Sequence, residues 1–166
     1  MKILGIDPGL QVCGYACLET SSAGEKLVEA GVFRTSGGPA IEAKLNQIAE
    51  DTGSLLEKFR PEIVAVEELY SHYAHPKTAI LMGHARGVIL QKCAEAAVDV
   101  RSFSATRIKK SITGNGRASK EQMQRTIQTL LSLPGVPEPN DVADAIAVAI
   151  CCANSISRGS VVTGRL

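Results

Sequence analysis

Lys2-Ile3-Leu4-Gly5-Ile6-Asp7-Pro8-Gly9 is the stretch whose reading decides the fold. An apolar run too short for a helix ends in a carboxylate and breaks at once on Pro8 and Gly9. It predicts a buried strand over residues 2–7, with Asp7 at its carboxyl end. The pattern recurs at Ile63-Val64-Ala65-Val66-Glu67, again an apolar run closed by an acid. It returns in another form at Asn140-Asp141-Val142-Ala143-Asp144, where two acids head an otherwise apolar helix. Three acid-bearing buried elements point to one convergence site, and such a site needs cations.

Outward from that first strand, residues 14–19 read as a second. Tyr15, Cys17 and Glu19 fall on one face, and Ala16 and Leu18 on the other. Residues 26–34 make a third, and short turns join the three into an antiparallel meander. Ile41, Leu45, Ile48, Leu55, Leu56 and Phe59 recur at helical spacing over 40–59. The strand at 63–66 follows this long crossover, so it should lie parallel to the first, with Asp7 and Glu67 side by side. Pro76 can start the next helix, to about Ala97. A fifth strand at 98–103 and helices at 105–112, 118–131 and 141–155 complete the chain. The predicted fold class is α/β: a mixed five-stranded sheet of order 3-2-1-4-5, flanked by helices, in one domain over 1–156. The polar tail at 157–166 is expected to be loose. Sites in such sheets form outside the carboxyl ends of the strands.

Composition sets the class. With 45% apolar and 21% charged residues the chain is ordinary globular material, and 166 residues can bury about two thirds of their unfolded surface. No apolar run is long enough to span a membrane, and Asp7 interrupts any signal-peptide core, so the expected location is the cytoplasm. Five cysteines (Cys13, Cys17, Cys93, Cys151, Cys152), an odd number without a CxxC, predict reduced, mostly buried thiols. His72, His75 and His84 have no paired spacing with them and are read as surface or locally bonded residues. The net charge of +1 hides an asymmetry. Residues 101–125 hold Arg101, Arg107, Lys109, Lys110, Arg117, Lys120 and Arg125 against Glu121 alone, so the window is +6 and the remainder −5. A positive patch on a near-neutral chain points to a local anionic partner.

Asp141 and Asp144 are three residues apart and share a helical face. A buried carboxylate without a partner takes up a proton. Four converging acids therefore imply divalent cations, and hard oxygen donors suit Mg²⁺ or Mn²⁺. Two such ions about 3.5–4 Å apart can activate water and stabilise the leaving oxygen of a phosphodiester. Taken singly, each acid has a plainer reading: Asp141 as a partner of the helix dipole with Asn140 as cap, Asp7 as a turn residue, Glu67 or Glu68 as a solvated side chain. Only their joint placement favours a metal site.

Gly5-Ile6-Asp7-Pro8-Gly9, Ala65-Val66-Glu67-Glu68-Leu69-Tyr70, Gly83-His84-Ala85-Arg86-Gly87-Val88, Thr113-Gly114-Asn115-Gly116-Arg117-Ala118-Ser119-Lys120 and Asp141-Val142-Ala143-Asp144-Ala145 occur in this order. Together they resemble the bacterial RuvC family of Holliday-junction resolvases over nearly the whole chain. The resemblance implies a ribonuclease-H-like fold, a homodimer, and Mg²⁺-dependent nicking of two opposing strands of four-way junction DNA. A branch-migration helicase is the partner it suggests. The family's acidic tetrad falls on Asp7, Glu67, Asp141 and Asp144, with Asp141 a carboxylate where some relatives carry His. His84 departs from the common Gln.

Under this reading the basic window supplies phosphate contacts from Arg107, Lys109, Lys110, Arg117 and Lys120. Lys109 and Lys120 match basic residues that the family places near its acids. Lys120 also stands in the first turn of its helix, where the dipole disfavours a cation, and a phosphate would account for it. The plainer reading of the window is a solvated helix face. Tyr70 is expected to stack on an unpaired base at the junction, whereas Tyr73 fits core or loop packing as well. Arg86, inside an apolar helix, is read as structural or interfacial. Two alternatives remain: a resolvase-like relative acting in RNA processing, and a non-catalytic junction-binding protein.

Overall fold

The structure is a computed structural model and describes residues 1–35, 38, 40–69 and 76–162. Five strands, β1 (Lys2–Asp7), β2 (Val12–Ser21), β3 (Gly24–Arg34), β4 (Ile63–Glu67) and β5 (Asp99–Phe103), form one sheet of order β3-β2-β1-β4-β5. β1, β2 and β3 run antiparallel in turn, while β4 and β5 lie parallel to β1. The helices are α1 (Ile41–Phe59), α2 (Pro76–Glu95), α3 (Ala105–Thr113), α4 (Lys120–Leu130) and α5 (Asn140–Val162). Order and strand directions are those expected, and the architecture is ribonuclease-H-like.

Strand alternation builds a core on each side of the sheet. Ile3, Ala16, Leu18, Ile63 and Ala65 face one way and pack with α3, α4 and α5. Leu4, Ile6, Cys17, Val64 and Val66 face the other way and pack with α1 and α2. By the same alternation Asp7 and Glu67 continue the rows of Ile3 and Ile63, on the side that α5 covers. Ile6 pairs with Val66 across the parallel ladder, so the next residue on each strand stands beside its neighbour: Asp7 beside Glu67.

α5 is apolar all round because it is covered all round. From Val142 to Ala153 every residue except Asp144 is buried, between the sheet on one side and α3 and α4 on the other. Fully buried side chains such as Ile146 and Ile150 each contribute about 1.5–3 kcal/mol relative to exposure. Two small residues let this helix sit close. A Cβ on Gly5 would stand 2.2 Å from the Ala145 carbonyl oxygen, and one on Gly14 would stand 1.9 Å from that of Asp141.

Several boundaries differ from the sequence reading by one to three residues, and the last helix differs most, at both ends. α5 continues to Val162, past Ser155, because nothing between them ends its backbone ladder. Asn140 is the first helical residue and not the cap; its Oδ1 instead accepts from Gln124 Nε2 at 3.1 Å. All five cysteines are buried and none forms a disulfide among the described residues, in line with the reduced thiols expected. His84 Nδ1 is 2.6 Å from the Ile80 carbonyl oxygen, the local bond expected of it; His72 and His75 lie outside the described residues. No helix among the described residues is long and apolar enough to cross a membrane.

Candidate active site

Asp7 ends β1 because Pro8 cannot donate to the ladder. Behind it the Cys13 thiol closes the turn, donating to the Gly9 carbonyl at 2.8 Å and accepting from the Gly9 amide at 3.4 Å. Burial pushes this thiol up to about 12, so it stays protonated and structural. Glu67 ends β4 and is held from behind. Arg86 on α2 donates through Nε to the Glu67 carbonyl at 3.2 Å and through Nη2 to Ser102 Oγ at 2.7 Å, and the Glu68 amide donates to the Phe103 carbonyl at 2.9 Å. Arg86 therefore ties the ends of β4 and β5 together. Its partners are distant in sequence, so no local pattern announced them.

Asp141 and Asp144 come from the first turns of α5, brought onto β2 by the close approach at Gly14. The four acids share one electrostatic environment. Asp7 is raised from 3.8 to about 8, first by burial and then by Asp144, Glu67 and Asp141, with Lys120 opposing. Glu67 is raised by burial and then by Asp144, against Lys109 and Lys120. Asp144 is raised by burial and by Asp141, again against Lys120 and Lys109. The two lysines reach the group from separate helices. Lys120 heads α4, whose Ser119 forms a capping box with Gln122, and its Nζ lies 3.8 Å from Asp144 Oδ2.

The single pocket expected for the acids is in fact divided. Glu67 and Asp144 line a hollow of about 220 Å³ with Lys109 and Lys120, between α3, α4 and α5. Asp7 and Asp141 line another of about 420 Å³, with Pro8, Gly9 and the α2 residues Thr78, Leu81 and Met82. Among the described residues no three acids stand close enough to hold one ion in these side-chain positions. Mutual repulsion of four carboxylates favours such a two-and-two arrangement. The donor set nevertheless fits a hard divalent cation: oxygen ligands only, without thiolate or imidazole, and a surplus of negative charge that burial makes costly. Rotation about the aspartate and glutamate side chains is the adjustment a shared ion needs.

The model of the family described as "Crossover junction endodeoxyribonuclease RuvC" matches residues 3–152. The chain belongs to the RuvC family. It is 45% identical to the crossover junction endodeoxyribonuclease RuvC of Rhodopirellula baltica, over 90% of this chain and 84% of that one. Among solved structures, Thermus thermophilus RuvC superposes with a TM-score of 0.87 at 31% identity, covering 96% of this chain and 97% of the other. The same Thermus protein in complex with a Holliday junction substrate gives 0.85 at 30% identity, covering 96% and 98%.

The basic residues of this RuvC chain do not all gather at the acids. Lys109 and Lys120 do. Arg107 and Lys110 project from α3 into a different hollow, with Ser111, Cys151, Asn154 and Ser155. Arg117 is exposed on the loop that leaves α3 through Gly114, and Arg101 pairs with Asp99 at 3.2 Å. Tyr70 and Tyr73 lie outside the described residues. The sequence reading takes Arg86 as structural or interfacial, Cys13 as a buried thiol and Gly14 as the start of the second strand, without their places beside the acids. With β2 extended back to Val12, Gly14 lies inside the strand, where a glycine marks a close backbone approach.

Proposed function

We propose that this protein is a structure-selective endonuclease that resolves four-way DNA junctions by paired, metal-dependent nicks in recombination and repair. Its nuclease domain spans 1–156. Asp7, Glu67, Asp141 and Asp144 would hold two Mg²⁺ ions, for which Mn²⁺ would substitute. Bound there, such ions neutralise charge on the scissile phosphate and lower the pKa of an attacking water.

The chain's own residues do the rest. Asp7 and Glu67 are fixed by adjacent strand ends, and Asp141 and Asp144 by a buried helix, so the carboxylates start from rigid backbones. Lys109 and Lys120 line the same hollow as Glu67 and Asp144 and steady a phosphate oxygen entering it. Arg117 contacts the flanking backbone from its loop, and Tyr70 stacks on a base opened at the junction centre. The working form is a homodimer, in which two such sites nick opposing strands. It acts in the cytoplasm, with a branch-migration helicase as partner.

The observation that carries this reading is the joining of two strand-end acids, a helical acid pair and two lysines at one end of the sheet, in a chain of the RuvC family. Nicking of a synthetic four-way junction with Mg²⁺, beside linear duplex, an RNA hairpin and an Asp7→Asn control, tests it. Junction-specific nicks absent from Asp7→Asn are expected. Equal cutting of junction and duplex would remove the structure selectivity, and cutting of the RNA alone would transfer the activity to RNA processing.

A further inference from the structure

We infer that the hollow between α3 and the later turns of α5 is a second phosphate site, which takes a backbone phosphate of duplex DNA beside the four acids and not among them. The assignment rests on the reading of the protein as a DNA nuclease.

α3 carries three cationic side chains near one another and sends them to two places. Lys109 turns toward Glu67 and Asp144. Arg107 and Lys110, three apart and so neighbours on the helix surface, line a separate hollow of about 200 Å³. None of the described residues that line it is acidic. Among the described residues neither Arg107 nor Lys110 makes an ion pair, although both are exposed. Lys110 stands in the last turn of α3, where the helix dipole favours a cation, and that accounts for one charge. It does not account for Arg107.

Arg107 is also held in place. Its guanidinium carbon lies 4.9 Å from the centre of the Phe103 ring, which leaves the planar donors at its edge for a partner. Beside it Asn154 Nδ2 donates to Ser111 Oγ at 3.1 Å, so the Ser111 hydroxyl keeps its own proton to give. A guanidinium, an ammonium and a hydroxyl without a carboxylate make a donor set for a phosphate diester. The two hollows flank one helix, about 10 Å across. At about 3.4 Å of axis per nucleotide along one strand, that separation is a few nucleotides. A strand whose scissile phosphate lies at Lys109 and Lys120 therefore carries other phosphates within reach of Arg107 and Lys110.

The test is binding of a labelled four-way junction in EDTA, where nicking does not interfere, over about 50 to about 200 mM salt. Wild type is compared with Arg107→Ala/Lys110→Ala, with Arg107→Gln/Lys110→Gln (which keeps the side-chain length), and with Lys26→Ala/Lys44→Ala (which removes equal charge elsewhere). Two lost phosphate contacts make the slope of log Kd against log salt shallower by about 1.8, so wild type weakens about tenfold more than the α3 variants across the range. The Lys26/Lys44 variant should keep the wild-type slope. Parallel lines for wild type and both α3 variants would overturn the site, as would an equal change of slope in the Lys26/Lys44 variant. Inorganic phosphate is added separately: if it raises the melting temperature of wild type but not of the α3 variants while the salt slopes stay equal, the hollow serves free phosphate and not DNA. Wild type is assayed for nicking in parallel with Mg²⁺. A nicking wild type with unchanged slopes sinks the hollow alone, whereas a wild type that neither binds nor cuts the junction sinks the nuclease reading beneath it.

Discussion

Lys120 Nζ stands 3.8 Å from Asp144 Oδ2, an ion pair that joins the first turn of α4 to the start of α5. A lysine at the head of a helix opposes the dipole, so the carboxylates opposite, and not the helix, explain its position. Its charge holds down the protonation of Asp7, Glu67 and Asp144 together. Its side chain is largely exposed.

Lys120→Ala should therefore do more than slow the enzyme. Without that cation the three carboxyls are pushed further up, and the acidic limb of the pH–rate profile moves to higher pH. Lys120→Arg should restore the wild-type limb. A pH profile of Lys120→Ala that is lowered but not displaced would show that Lys120 acts on substrate alone.

Asp7 makes the metal-free protein sensitive to pH in an unusual direction. Its carboxyl sits at about 8 when folded against an ordinary 3.8, so the stability it contributes is fully present below about pH 4 and lost as pH rises through about 8. Glu67 and Asp144 are raised as well and act with the same sign. In EDTA the melting temperature should fall between about pH 5 and about pH 8.5. Asp7→Asn, neutral throughout, should flatten that fall and be more stable by a few kcal/mol at the alkaline end. Parallel curves for the two proteins would contradict the burial of charge at this position.

Gly14→Ala tests how the helical acids are placed. The new methyl would meet the Asp141 carbonyl oxygen at 1.9 Å, so α5 must shift at the end that carries Asp141 and Asp144. The expected cost is about 1–3 kcal/mol of stability from overpacking, with about 100-fold lower nicking from misplaced carboxylates. A variant that melts lower but nicks at the wild-type rate would show that the approach serves packing only.

Arg86 acts on Glu67 through the backbone. Arg86→Ala leaves the Glu67 carbonyl and the Ser102 hydroxyl without this donor, at a cost of about 1–3 kcal/mol. Nicking at saturating junction should fall while the Kd for the junction holds. Arg86→Lys should not rescue it, because an ammonium cannot reproduce the fork that serves two partners. A change confined to melting temperature would make the residue structural only.

The sheet and the elements that carry the four acids were legible because they follow from local rules. Alternation in β1 and β4 fixes which side Asp7 and Glu67 take, and the 141/144 spacing fixes the helical pair. The split of the acids into two hollows was not legible, since it depends on how α2, α3 and α4 pack and on repulsion among side chains far apart in the chain. The basic window showed its charge but not its geometry: Lys109 and Lys110 are adjacent in sequence and serve different hollows. Cys13 looked like a buried apolar residue, and its bonds to the Gly9 turn could be seen only once that turn was formed. The polar stretch from Ser157 onwards read as a loose tail, yet the helical ladder runs on to Val162.

The central claim is that acids from β1, β4 and α5 act as one divalent-cation site. Its most direct test is Mn²⁺ titration of the DNA-free protein, followed by the loss of the free-ion paramagnetic signal. Saturable binding is expected for wild type, at least about tenfold weaker in each of Asp7→Asn, Glu67→Gln and Asp144→Asn, since every one removes a charged oxygen ligand. Mn²⁺ binding by Asp7→Asn and Glu67→Gln that matches wild type would contradict it.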